Sequence, residues 1–149
     1  MNKPKEIVNR KAKFEYHFLQ SFNAGMMLTG TEVKSLRKGE ANLSDAYCFF
    51  KDGELFVKNM FIAEYTHGNL NNHETRRERK LLLKKTELKK LEKRVSEKGL
   101  TVVPYKIFFS ERGLAKLEVY LAQGKKEFDK RDSIKQKDMA RDLDRMRKL

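Results

Sequence analysis

Several features are scarce or missing in this 149-residue sequence, and each absence narrows the class of protein. The single cysteine, Cys48, excludes an internal disulfide and suits a reducing compartment. No apolar run approaches the ~20 residues of a membrane-spanning helix, and the N-terminus lacks the apolar stretch of a signal peptide. We therefore expect one cytoplasmic domain that has no membrane partner and is large enough to bury a core.

Catalytic motifs are missing as well. The sequence has no Gly-rich phosphate loop, no nucleophile elbow and no carboxylate-rich metal cluster. His67 and His73 in a polar loop would be candidate metal ligands, but the lone Cys48 is distant and no further ligand spacing accompanies them. Glu32 and Asp45 fit cap and turn positions better than acid–base roles. We expect a protein that is not an enzyme, with no metal and no cofactor.

Positive charge is abundant and unevenly distributed. The net charge is +13, and residues 76–98 alone carry eleven Lys or Arg against four Glu. Residues 1–13 and 123–149 each add a net +4, whereas residues 14–75 are slightly acidic. This segregation is typical of polyanion-binding proteins, because Lys and Arg release condensed counterions from phosphates. A solvated basic face without a partner remains open, and an anionic membrane surface is disfavoured because no basic segment combines a large apolar moment with aromatic anchors.

A short capped helix is predicted near residues 29–39. Thr29 and Glu32 match the capping-box spacing, and Gly39 can take the left-handed conformation that ends a helix. Val33 and Leu36 share one face of this helix. A two-turn helix is unstable alone, so its surroundings must hold it in place; one interpretation is a basic-faced plug at one end of a small barrel.

Strand patterns dominate the rest of the first 123 residues. Alternation predicts strands around Phe14–Phe18 and Leu114–Leu121, Asn23-Ala-Gly25 indicates a tight turn before a strand at 26–28, and Asp52-Gly53 indicates a hairpin. Pro104 suggests an edge position or a bulge in the strand Leu100–Phe109. A second helix is predicted from about Glu87 to Lys98, with Gly99 as its stop and the most basic surface of the chain opposite Leu88, Leu91 and Val95.

These elements predict a mainly β fold with short helices. About six strands and two helices favour a closed, antiparallel OB-like β-barrel over residues 14–123. A basic arm precedes it at residues 1–13, and a basic tail follows at residues 124–149. The tail has too few apolar residues for a core, so we expect it to be disordered when free and helical on a partner.

Six motifs resemble those of one known family in collinear order over nearly the whole chain. They are Asn9-Arg-Lys-Ala12, Gly30-Thr-Glu-Val-Lys-Ser-Leu-Arg37, Ala41-Asn-Leu-Ser-Asp45, His67-Gly-Asn69, Arg79-Lys-Leu-Leu-Leu83, and Gly124-Lys-Lys126 with Asp129-Lys-Arg131. The sequence is thereby similar to the small protein B family, the SsrA-binding proteins of bacterial trans-translation. The resemblance implies a monomer that binds the tRNA-like domain of tmRNA (SsrA RNA) and delivers it to the A site of stalled ribosomes.

The resemblance also implies a set of site residues. The RNA surface would comprise Asn9, Arg10, Lys11, Glu32, Lys34, Arg37, His67, Gly68, Asn69, Arg79, Lys80, Leu82, Lys125 and Lys126. At the base of the tail, Asp129, Lys130 and Arg131 would contact ribosomal RNA of the decoding region and mRNA channel. We expect Arg79 and Lys80 to be exposed, and Leu82 either to pack against an RNA loop or to belong to the core.

Two residues depart from the family pattern, and one alternative function remains open. Asn23 and Phe128 stand where the family usually has Glu and His; Phe128 cannot transfer a proton, but it could still stack on a base. The rival is a sequence-tolerant OB-type RNA chaperone. Such proteins carry exposed aromatics among basic residues, whereas Phe14, Phe18 and Phe56 follow a core-like alternation here.

Overall fold

The computed structural model describes residues 4–66, 72–97 and 99–125. Its three helices are α1 (Arg10–Glu15), α2 (Gly30–Arg37) and α3 (Lys85–Val95). Its nine strands are β1 (Ile7–Val8), β2 (Tyr16–Met26), β3 (Ala41–Asn42), β4 (Tyr47–Lys51), β5 (Glu54–Lys58), β6 (Phe61–Ile62), β7 (Arg79–Leu82), β8 (Leu100–Phe109) and β9 (Ala115–Gly124).

Seven of these strands form one antiparallel sheet in the order β1-β8-β9-β2-β7-β5-β4, while β3 pairs separately with β6. The long strands β2, β8 and β9 form its centre. One face buries a continuous apolar core, to which α2 contributes Leu36 and α3 contributes Leu88 and Leu91. A smaller cluster lies on another part of the sheet, where Ala12 of α1 packs with Val103.

The sheet is open, so the expected closed OB-like barrel of about six strands is wrong. Strands β1 and β4 are its two edges. Strand β4 approaches β8 without pairing with it. Two β8 carbonyls that a closing strand would need as acceptors are already bonded to Asn9. The Asn9 N–H donates to Tyr105 O at 2.7 Å, and Asn9 Nδ2 donates to Pro104 O at 3.2 Å. Pro104 also has no N–H to offer. A pocket of about 180 Å³ separates this part of β8 from the start of β4.

Two local expectations near the N-terminus are also wrong. Asn23-Ala-Gly25 is not a turn, because β2 runs unbroken from Tyr16 to Met26 and Gly25 pairs with both Leu82 and Lys116. Phe14 belongs to α1 rather than to a strand, and its side chain is 79% exposed. The segment expected as a basic arm contributes β1 and most of α1, so the chain joins the sheet from Ile7 onward.

Other elements match their predictions. Asp52 and Gly53 have φ values of 52° and 77° in the turn between β4 and β5, and Gly99 has φ 84° after α3. Pro104 lies at an irregularity in the pairing of β8 with β9. Leu117, Val119 and Leu121 all face the core from β9. Among the described residues, no helix is long and apolar enough to cross a membrane.

Candidate RNA interface

Helix α2 begins with the predicted capping box. The Thr29 hydroxyl accepts a hydrogen bond from the Glu32 N–H at 3.4 Å, and the Glu32 carboxylate accepts one from the Thr29 N–H at 2.9 Å. Leu36 is fully buried under the helix, and Gly39 has φ 76° just after it. Packing and capping together hold this short helix in place.

The Glu32 carboxylate also binds two arginines inside the protein. Arg77 donates to Glu32 Oε1 at 2.7 Å, and Arg79 donates from Nε to Oε2. Glu32 and Arg79 are both fully buried. The other nitrogens of Arg79 donate to Met60 O at 2.6 Å and to Thr75 O at 3.3 Å. The expectation that Arg79 is exposed is therefore wrong, and Glu32, assigned with it to the RNA surface, lies in the interior.

The two arginines keep Glu32 ionised. Burial on its own raises the pKa of Glu32, but the hydrogen bonds from Arg77, from the Thr29 N–H and from Arg79 outweigh it, so the net pKa is lowered. Burial lowers the pKa of Arg79, opposed by Glu32. The cluster ties the start of α2 to the segment entering β7 across 47 residues of sequence.

The polar loop before β7 is fixed at its base. The Asn72 side chain bonds both the N–H and the C=O of Tyr65, at 3.2 and 2.9 Å. Buried His73 lies 2.9 Å from Ile62 O through Nε2 and 2.9 Å from the Thr31 hydroxyl through Nδ1. Because a carbonyl only accepts, Nε2 carries the proton and Nδ1 accepts from Thr31. His73 therefore joins this loop to α2 through both ring nitrogens.

Exposed cations surround this buried framework. Lys34 and Arg37 project from α2 into solvent. The Nζ of Lys34 lies 5.2 Å from the Tyr65 ring centroid, and that of Lys38 lies 5.0 Å from it. Cation–π contacts of this kind restrain a lysine without neutralising it. The helix and its C-cap residue thus present three positive charges to solvent, and two of them, Lys34 and Lys38, lie beside Tyr65 at the start of the polar loop.

The outer side of β7 continues this surface. Leu82 is 49% exposed, so the core alternative for this residue is wrong. Leu82 and Arg37 line one groove of about 330 Å³, together with Leu114 and Lys116. Lys80, two residues before Leu82, forms a 3.8 Å ion pair with Glu54 and keeps 36% of its side chain exposed.

The N-terminal motif divides into one buried and two exposed residues. The Asn9 side chain is buried, with Nδ2 donating to Leu43 O and Pro104 O. Arg10 and Lys11 point into solvent from α1, where Lys11 forms a 3.7 Å ion pair with Glu15.

The structure places the predicted residues differently. It brings Arg37 and Leu82 together in one groove, while Lys34 is exposed on the same helix as Arg37, Lys80 lies on the same side of β7 as Leu82, and Arg10 and Lys11 lie on α1. Asn9, Glu32 and Arg79 are buried supports. Lys125 lies half-buried just after β9, and the remaining predictions fall outside the described residues: His67, Gly68, Asn69, Lys126, Asp129, Lys130 and Arg131.

Sequence reasoning missed several residues of this surface. Arg77 was seen only as part of a basic run, although Arg77 and Arg79 have the two-residue spacing that puts side chains on one side of an extended segment. Lys38, Tyr65 and Lys116 carried no local signal, because their roles depend on contacts between distant segments.

A small antiparallel sheet with a cationic surface is typical of nucleic-acid-binding β proteins. Sequence comparison narrows this class. The model of the SmpB protein family matches residues 6–149, and the chain belongs to that family.

Named relatives agree with this assignment. An SsrA-binding protein of Phocaeicola vulgatus is 57% identical over 96% of this chain and 95% of its own length. One from Flavobacterium johnsoniae is 51% identical over 99% and 98%, and one from Brucella canis is 49% identical over 98% and 97%. A solved structure described as "tmRNA-SmpB: a journey to the center of the bacterial ribosome" matches with a TM-score of 0.67 and 48% identity, over 80% of this chain and 83% of that one.

Proposed function

We propose that this chain binds the tRNA-like domain of tmRNA (SsrA RNA) and delivers it to the A site of stalled ribosomes. The product of that pathway would be a rescued ribosome and a tagged incomplete peptide. Membership of the SmpB family and about 50% identity to SsrA-binding proteins over nearly the full length support the RNA partner. The match to a tmRNA–SmpB structure of the bacterial ribosome supports the ribosomal partner. The role is that of a cytoplasmic RNA-binding protein, not of an enzyme.

One observation carries this proposal: buried ion pairs fix the position of the helix that presents unneutralised cations at the surface. The cluster of Glu32, Arg77 and Arg79 fixes α2 against the segment entering β7. Lys34 and Arg37 then lie on the outside, at fixed positions. Folded RNA is recognised by shape, phosphates and 2′-hydroxyls, so a rigid pattern of donors suits it better than mobile charges.

The residues therefore divide into contacts and supports. We assign RNA contact to Arg10, Lys11, Lys34, Arg37, Lys80, Leu82 and Lys125, and to the predicted residues His67, Gly68, Asn69 and Lys126. Asn9, Glu32 and Arg79 act instead as positioning residues, because they are buried and their side chains hydrogen-bond inside the protein. Residues 124–149, including Asp129, Lys130 and Arg131, are assigned to the ribosome, with Lys125 and Lys126 at the start of this segment adding contacts to the tRNA-like RNA.

The alternative function, an RNA chaperone, needs a direct test, because not all of the aromatic residues that were expected in the core are buried. Phe14 is 79% exposed, whereas Phe18 and Phe56 are partly buried, Phe18 against the smaller cluster that contains Ala12 and Val103. A gel shift should compare the tRNA-like domain of tmRNA with an unstructured RNA and a plain duplex at one salt concentration. Preference for the tRNA-like RNA supports the proposal, whereas equal binding to the unstructured RNA would replace it with the chaperone function.

A matched pair of variants locates the interface in the same assay. Arg37→Ala removes an exposed cation of α2, whereas Lys90→Ala removes an exposed cation of α3, a helix that carries none of the assigned RNA contacts. We expect Arg37→Ala to weaken binding of the tRNA-like RNA more than Lys90→Ala does. Equal effects would mean that only total charge matters.

A further inference from the structure

One outer part of the sheet carries aromatic rings where a solvated strand usually carries polar side chains. Strand β4 turns Cys48 and Phe50 toward the core and leaves Tyr47 and Phe49 on the opposite face. On β5, Phe56 lies between the fully buried Leu55 and Val57 and therefore also faces outward. We call Tyr47, Phe49 and Phe56 the aromatic face.

The three rings form a continuous surface. Phe49 and Phe56 are directly opposite each other on β4 and β5, with centroids 5.8 Å apart and planes 21° apart. Tyr47 lies 6.1 Å from Phe49 at 42°. Tyr47 is 47% exposed, and both phenylalanines are partly buried. Part of each ring is thus accessible on strands at the open edge of the sheet.

Lysines surround the aromatic face. Lys80 is the cross-strand partner of Phe56, and Lys58 is that of Tyr47. Lys51 ends the same side of β4 two residues after Phe49. Glu54 is the one carboxylate on these positions of β4 and β5, and it pairs with Lys80 at 3.8 Å. The surroundings of the rings are therefore positive overall.

We propose that the aromatic face is a stacking site for an unpaired nucleobase of the bound RNA, with Lys51, Lys58 and Lys80 holding the adjoining phosphates. This inference rests on the proposed function and extends its RNA surface from Lys80 across β5 to β4. Bases within a duplex are already stacked, so only loops, bulges and ends offer a free base to an aromatic ring. Aromatic rings interleaved with lysines suit an unpaired nucleotide, because a ring can stack on its base while a lysine binds its phosphate.

Tryptophan fluorescence tests the inference directly, since the chain contains no tryptophan. Phe49→Trp keeps a stacking ring and creates a single reporter on the aromatic face. Phe50→Trp is the matched control, because this neighbouring ring on β4 packs against the core instead of lying on the aromatic face. We expect saturable quenching of Phe49→Trp by the tRNA-like domain of tmRNA but not by a plain duplex, and no comparable quenching of Phe50→Trp.

An affinity measurement supplies the second readout. The double variant Phe49→Ala/Phe56→Ala should bind the tRNA-like RNA between about fivefold and 150-fold more weakly, whereas Phe49→Tyr/Phe56→Tyr, which keeps both rings, should lose much less affinity. Circular dichroism checks that the alanine variant folds. If it does not fold, the fluorescence measurement on Phe49→Trp still tests the proposal.

The failures of the two proposals are distinguishable. A gel shift that shows tight binding while Phe49→Trp fluorescence stays unchanged overturns the stacking site and leaves the proposed function intact. Equal quenching by the duplex would also overturn it, because a duplex has no free base to stack. Absence of any gel shift with the parent protein would instead refute the proposed function itself.

Discussion

Arg79 is the largest fully buried side chain among the described residues, and its charge is held by Glu32 and by backbone carbonyls. Removing one partner of a buried ion pair leaves an incompletely compensated charge in the interior. We predict that Arg79→Ala lowers the free energy of unfolding by about 3–5 kcal/mol. Urea denaturation of the parent and the variant measures this difference.

The neighbouring Lys80 provides the control for that measurement. Its side chain is partly exposed, and its 3.8 Å ion pair with Glu54 is a surface contact. Such pairs contribute about 0–1 kcal/mol, so Lys80→Ala should change stability little. Equally small losses for Arg79→Ala and Lys80→Ala would show that the buried network adds no stability.

Glu32 makes part of the stability depend on pH. Its pKa in the folded protein lies below the ordinary value of 4.5, because the bonds from Arg77, Thr29 and Arg79 outweigh burial. A carboxylate with a depressed folded pKa stabilises the fold above its unfolded pKa, and this contribution disappears as the pH falls through the folded pKa. We predict that the parent is more stable than Glu32→Gln at about pH 7 and that the gap narrows below about pH 4. Urea midpoints of both proteins across this range test it, and a constant gap would contradict it.

At the level of elements, α2 depends on its N-terminal cap. Thr29 contributes the hydroxyl that accepts the Glu32 N–H, and the helix has only eight residues. We predict that Thr29→Ala costs about 1 kcal/mol of stability, whereas Thr29→Ser, which keeps the hydroxyl, costs much less. Thermal unfolding compares the two. A loss of equal size in both variants would assign the effect to the methyl group rather than to the cap.

The elements differ in how far sequence could predict them. The capping box of α2 and the Asp52-Gly53 hairpin are local, so pattern and backbone preference suffice. Gly25 misled the prediction because it serves a close approach rather than a turn: a Cβ there would lie a tight 3.3 Å from Leu82 Cβ. The sheet stays open where Asn9 hydrogen-bonds to β8, 95 residues away in the sequence, and no local pattern reveals such a contact.

The candidate site, too, could be predicted from the sequence only in part. The family motifs predicted a surface that includes Lys34, Arg37 and Leu82, and these side chains are exposed. The motifs could not separate contacts from supports, because Arg79 becomes a support only through its pairing with Glu32. Alternation placed Phe56 on one face of a strand but could not say which face is buried, since that depends on register within the whole sheet.

For the molecule as a whole, the net charge of +13 predicts a strong salt dependence of RNA binding. If about 6–10 phosphates are contacted, affinity should fall by roughly 10³–10⁵ between about 50 and 200 mM salt. Filter binding to the tRNA-like domain of tmRNA over this range gives the slope. A nearly flat dependence would mean that the basic segments take little part in binding.

The division of labour between the sheet domain and residues 124–149 gives the last prediction. This segment contains ten Lys or Arg and one Gly, without proline, and its apolar residues are too sparse to build a core. The exposed cations of α1, α2 and β7, by contrast, all precede it. We therefore predict that a chain ending at Gly124 keeps most of its affinity for the tRNA-like RNA but loses peptide tagging on ribosomes stalled without a stop codon.

Two assays on the same preparations separate the outcomes: a gel shift for RNA capture and a reconstituted translation reaction for tagging. The double variant Arg37→Ala/Lys80→Ala in the full-length chain is the matched control, since it should lose RNA capture first and tagging as a consequence. Loss of both activities in the truncated chain would assign residues 124–149 to RNA capture. Retained tagging would show that the ribosome does not need them. Only kept capture with lost tagging agrees with a segment that acts on the ribosome, because only then does the sheet domain suffice for the RNA.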